Sequence, residues 1–116
     1  MYVYRAKVVS IYDGDTMRCD IDLGFGVWLR NQPIRWLEID TPELRGDERV
    51  EGLGARDRVR DLILGKEVIL KTYKDSKGKY GRWLAEVYYE DEEILEWDNS
   101  INQQLINEGY ADPYPG

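Results

Sequence analysis

At 116 residues, 42% hydrophobic and 34% charged, the chain has the balance of one soluble globular domain that can bury a core without staples. One cysteine and no histidine exclude an intramolecular disulfide, a Cys-based zinc site and every Ser-His-Asp, Cys-His or His-based acid/base scheme. The net charge of −7 is lopsided: residues 1–82 hold all 16 Lys and Arg and 14 of the 23 acids, so a low pI does not exclude a phosphate ligand on that part.

In chain order, "YVYRAKVVSIY" (2–12) is rich in Val, Ile and Tyr and predicts a strand. "TMRCDIDL" (16–23) alternates Met17, Cys19, Ile21 and Leu23 with polar residues, the period of a half-buried strand. Between them Asp13-Gly14-Asp15 is a hairpin signal. "LGFGVWLRNQP" (23–33) reads as a long, partly extended hairpin arm, and 34–39 as the third strand. Residues 44–54, glycine-rich and charged, predict a mobile loop. Ala55, Val59, Leu62 and Ile63 then mark a short amphipathic helix that Gly65 can end. Strands follow at 67–73 and 82–89, separated by the turn-forming "KDSKGKYG". A last helix through "INQQLINEG" is capped by Asn99 or Ser100 and stopped by Gly109. Five strands with a helix between the third and fourth match a mainly β, α+β domain: an OB-type five-stranded barrel with two or so short helices, spanning residues 1–116.

Without histidine, any hydrolysis must rest on carboxylates, a hard metal ion, Arg, Lys or Tyr. No apolar run approaches the ~20 residues of a membrane span and no signal-like segment follows Met1, so no membrane partner and a cytoplasmic location are expected. Nine Tyr and four Trp against one Phe hint at a binding face, although strand packing explains them equally well. Basic groups cluster at Arg45, Arg49, Arg56, Arg58 and Arg60 and again at 74–82.

Three segments carry charges that invite chemistry. "DGDT" holds Asp13 and Asp15, "RWLEIDTPE" holds Arg35, Asp40, Thr41 and Glu43, and "KYGR" holds Tyr80 and Arg82. Carboxylates with a backbone carbonyl suit a hard cation such as Ca²⁺, and arginines suit a phosphate and its developing charge. Each fragment alone reads more simply: Asp-Gly-Asp as a turn, Arg35 as a strand residue reaching solvent, Glu43 as a solvated charge. Strict alternation even puts Arg35 and Asp40 on opposite faces, so a shared site requires a bend near residues 38–40.

In this order, "VVSIYDGDT" (8–16), "IRWLEIDTPE" (34–43), "KGKYGRWLAEVY" (77–88) and "INQQLINEGYA" (101–111) resemble the staphylococcal nuclease (thermonuclease) family over roughly residues 5–111. The resemblance implies a calcium-dependent nuclease that hydrolyses DNA and RNA at the 5′ P–O bond and leaves 3′-phosphate ends. It implies Asp15, Asp40 and the Thr41 carbonyl as Ca²⁺ ligands, with Asp13 close behind them. It gives Glu43 the attacking water, Arg35 and Arg82 the scissile phosphate, and Tyr80 a neighbouring phosphate or sugar. This chain departs from the family in its longer arm between Asp15 and Arg35, and in Glu38, which adds negative charge near the implied metal. The chain also stops at Gly116 without the extra C-terminal helix of the secreted enzyme, so a monomer or weak dimer is expected. Tyr114 in "DPYPG" is a candidate lining for a base pocket. The rival reading is an OB-fold nucleic-acid-binding module without catalysis. The presence of Asp15, Arg35, Asp40, Glu43 and Arg82 together favours the enzyme, and a phage or mobile-element setting suits a small nuclease without an export signal. A purely structural barrel leaves the joint match to chance.

Overall fold

A computed structural model of the chain describes residues 1–74 and 82–114. Among these residues the elements run β1 (Tyr2–Asp13), β2 (Thr16–Asp22), β3 (Trp28–Trp36), β4 (Ile39–Asp40), α1 (Arg49–Ile63), β5 (Glu67–Lys74), β6 (Trp83–Tyr89), α2 (Ile101–Asn107) and β7 (Asp112–Pro113). The five longer strands close a barrel in the order β1-β2-β3-β6-β5, antiparallel except for the parallel β3–β6 pair; β4 and β7 pair separately. This is the expected OB-type barrel, with α1 bridging its third and fourth strands.

The period-2 residues of β2 turn Met17, Cys19 and Ile21 inward, where they join Val8, Ile34, Leu70 and Val87 from the other barrel strands. Val59 and Ile63 of α1 and Ile101 and Leu105 of α2 plug the core. Burial pushes the Cys19 thiol up to about 12, leaving it a small apolar filler with little thiolate. No helix among the described residues is long and apolar enough to cross a membrane.

Two expectations need correction. The third strand is not 34–39 but Trp28–Trp36, so most of the supposed arm is strand and only Gly24–Gly26 forms its turn. The chain then turns at Leu37–Glu38, where Glu38 adopts a left-handed φ of 56°, before β4 begins. Residues 44–54 are likewise no simple loop. A 3₁₀ turn at Gly46–Glu48 runs straight into α1, which starts at Arg49 and includes both Gly52 and Gly54. Helix propensity argues against two glycines here; the packing of Gly52, described below, overrides it.

The parallel β3–β6 pairing ends at Trp36–Ala85, and the fully buried Asn102 of α2 stitches the chain just beyond it. Its amide donates to the carbonyls of Leu37 (3.0 Å) and Ala85 (3.1 Å), and its Oδ1 accepts from the Val87 N–H (2.8 Å). Ser100 caps the same helix by accepting from the Gln103 N–H. Arg58 of α1 grips Glu108, just after α2, with two bonds of 2.8 and 2.9 Å, which hold Glu108 down to about 2. On the outer face of β6, buried Glu86 accepts hydrogen bonds from the hydroxyls of Tyr73 and Tyr88. Burial, then the bond to Glu86, pushes Tyr73 up to about 12.

Candidate active site

The site begins where the β1–β2 turn meets the chain after β4. Gly14 lies flush against Thr41: a Cβ at this position would stand 2.7 Å from Thr41 Cγ2. Gly52 of α1 lies equally flush against the carbonyls of Pro42 and Glu43. The segment Asp40–Glu43 is therefore clamped between two glycines, one from a hairpin and one from a helix. Gly52→Ala would gain helix propensity but drive its new Cβ into the Glu43 carbonyl oxygen. It is expected to cost about 1–3 kcal/mol as an overpacked contact, read from urea or thermal melts; a neutral or stabilised variant would show that the helix can yield.

Asp15 sits in this seam with only 7% of its surface exposed. Its Oδ2 accepts from the Thr41 N–H at 3.0 Å and its Oδ1 from the Thr16 hydroxyl at 3.2 Å. Cross-strand pairing of Thr16 with Arg35 brings the guanidinium over the same carboxylate. Arg35 Nη1 lies 3.4 Å from Asp15 Oδ2 and donates to the Trp36 carbonyl (3.0 Å), while Nη2 lies 3.9 Å from Asp40 Oδ1. The turn at Leu37–Glu38 supplies the bend that strict alternation lacks, so Arg35 and Asp40 end on one side.

Asp13 accepts from the Asp15 N–H (3.1 Å), and burial, followed by the neighbouring Asp15 carboxylate, raises it to about 6. Asp40, mostly exposed, is also raised, first by desolvation and then by the charge of Asp15; Glu43 and Asp112 add to this and Arg35 opposes it. Asp112 arrives because β7 places it directly opposite Asp40. Glu43 lines a recess of about 250 Å³ with Tyr12, Asp13, Leu44 and Arg45. Arg82, just ahead of β6, lines a larger adjoining cleft with Thr16 and Leu44. Tyr80 lies outside the described residues. Glu38 and Tyr114 face a separate groove with Trp97, Gln103 and Ile106, and the Tyr114 N–H donates to the Glu38 carbonyl at 2.8 Å. The extra negative charge of Glu38 thus belongs to the C-terminal groove.

The structure therefore gathers Asp13, Asp15, Arg35, Asp40, Thr41 and Glu43. Sequence reasoning missed Thr16, Asp112, and the two glycines as clamps. Thr16 could have been suspected from its place beside Asp15 in "DGDT"; Asp112 and Gly52 act through contacts distant in sequence and leave no local signal. Among the described residues no trio of His, Cys, Asp or Glu side chains forms a metal cage by itself. The donor set still fits a hard cation. Two carboxylates converge on one positive group, desolvation and then the like charges of Asp15, Glu43 and Asp112 push Asp40 up, and the Thr41 hydroxyl is buried without a hydrogen-bond partner among the described residues.

Fold and pocket together define a five-stranded OB-type barrel with a carboxylate and arginine site at the β1–β2 turn and the end of β3. Residues 33–115 match the family of staphylococcal nuclease homologues, and the chain belongs to that family. It is 32% identical over 108 residues to a thermonuclease of Staphylococcus hyicus, covering 90% of this chain and 56% of that protein. It is also 32% identical over 108 residues to an uncharacterized endonuclease of Haemophilus influenzae, covering 93% and 51%. The endonuclease YhcR of Bacillus subtilis is 28% identical over 120 residues, covering 96% of this chain and 9% of that protein. The chain spans about half the length of the first two relatives.

Proposed function

We propose that the chain is a calcium-dependent phosphodiesterase that hydrolyses DNA and RNA at the 5′ P–O bond and leaves 3′-phosphate ends. The observation that carries this reading is the convergence of Asp15, Arg35 and Asp40 beside Glu43, on an OB-type barrel of the nuclease family. Asp15, Asp40 and the Thr41 carbonyl would hold Ca²⁺, which when bound supplies Lewis-acid polarisation of the phosphodiester. Arg35 already carries its charge at the carboxylates, where it can hold the scissile phosphate and offset negative charge growing on its oxygens. Arg82 would grip the same phosphate from the adjoining cleft. Glu43, exposed in its recess, accepts the proton of the attacking water. Asp13, through its bond to the Asp15 N–H, fixes the backbone of the turn that carries Asp15.

The pairing of Arg35 with both carboxylates is what favours the second reading, a nucleic-acid-binding module whose arginine stands where a cation would otherwise sit. The two separate on single-stranded DNA. The enzyme degrades it with Ca²⁺ and stops on chelation, whereas the module binds it tightly and leaves it whole with or without the ion.

A further inference from the structure

Beside the site just described lies a cleft of about 660 Å³ whose walls include Arg18, Arg56, Arg60 and Arg82. No carboxylate lines it among the described residues, although the chain carries a net charge of −7. Arg60 donates to the Ile11 carbonyl (3.0 Å) and Arg18 to the Asn31 carbonyl (2.9 Å). Neutral acceptors aim these guanidinium groups without cancelling their charge. Among the described residues Arg56 pairs only with its neighbour Asp57, itself largely exposed. Spacing on α1 sorts the basic cluster: Arg56 and Arg60, four apart, share the cleft side, whereas Arg58 is taken up by Glu108. Tyr12, 69% exposed, and Leu44 line both this cleft and the recess that holds Asp13 and Glu43. The two spaces are thus joined across one ridge.

We infer that the cleft is a second phosphate-binding track, which takes the backbone of a single-stranded polynucleotide as it leaves the cleavage site over Tyr12. Arginines supply bidentate phosphate contacts, and an exposed tyrosine at the crossing offers a face on which a base can stack without sequence preference. The substrate is accordingly a chain of several nucleotides, not a dinucleotide. This rests on the proposed nuclease reading for its direction of travel, but its test needs no catalysis.

The test is fluorescence anisotropy with a fluorescein-labelled single-stranded deoxydecanucleotide and the matching labelled dinucleotide, in EDTA, over a KCl series. R56A/R60A is expected to bind the decanucleotide about tenfold more weakly than wild type. Its log–log salt slope should be shallower by roughly 1.4, because each single-stranded phosphate contributes about 0.7. The dinucleotide should lose much less. R56A alone, whose side chain bonds only to its neighbour Asp57 among the described residues, gives half the change in slope and keeps the test valid if loss of the Arg60 bond to Ile11 unfolds the double variant. Equal decanucleotide affinity and slope in wild type and R56A would overturn the track; so would an equal loss for both probes, since the arginines would then serve only the scissile unit. Since nothing is cut in EDTA, failure of the nuclease reading is seen separately: wild type would bind the decanucleotide yet leave it intact in Ca²⁺.

Discussion

Glu43→Gln is expected to slow DNA cleavage by about 10²–10⁴-fold, the usual contribution of a positioned general base, while the melting temperature stays within error of wild type. The carboxylate of Glu43 makes no hydrogen bond or ion pair among the described residues, and the side chain is exposed. Its removal therefore leaves no buried partner behind. What fixes Glu43 is its backbone, pinned by Gly52. The glutamine keeps the shape and loses only the proton acceptor. Arg35 would be a poorer test, because its guanidinium also ties Asp15 and Asp40 together, so its loss mixes chemistry with local rearrangement. Initial rates on single-stranded DNA at saturating Ca²⁺ decide the matter, and an unchanged rate would remove Glu43 from the chemistry.

Asn102→Leu should be the most damaging single change outside the site. It keeps the side-chain volume and strips the buried Val87 N–H and Leu37 carbonyl of their partners, while Ala85 keeps the bond from the Leu37 N–H. The buried Val87 N–H costs about 1–3 kcal/mol when left unpaired and the half-buried Leu37 carbonyl less, together on the order of 10 °C in Tm for a domain of this size. The effect should reach the site as well. Leu37 begins the turn that swings Asp40 to the side of Arg35, and Asn102 ties its carbonyl to β6 alongside the direct bond from the Leu37 N–H to Ala85. A urea melt with a midpoint unchanged from wild type would show that water or a shifted backbone replaces the amide.

Much of the barrel was legible because its signals are local. Alternation in "TMRCDIDL", the Asp-Gly turn, the capped helix after Ser100 and the stop at Gly109 each depend on neighbours in sequence. The parts that were not legible depend on backbone approach. Gly52 looks like a loop residue until Pro42 and Glu43 are seen against its Cα, and Glu38 in a left-handed conformation breaks an alternation that otherwise separates Arg35 from Asp40. Asn102 is similarly hidden: a polar residue next to Ile101 and Leu105 reads as the wet side of a helix, yet it is fully buried. The basic cluster was visible only as a composition. The fold divides it, giving Arg58 to Glu108 and leaving Arg56 and Arg60 at the cleft.

The most direct measurement is end-group analysis of the products formed from labelled single-stranded DNA in the presence of Ca²⁺. The expected result is fragments ending in 3′-phosphate and starting with 5′-hydroxyl, with no product once the ion is chelated. Intact DNA under both conditions, or fragments carrying 5′-phosphate ends, would contradict the assignment of Asp15, Arg35, Asp40 and Glu43 to this chemistry.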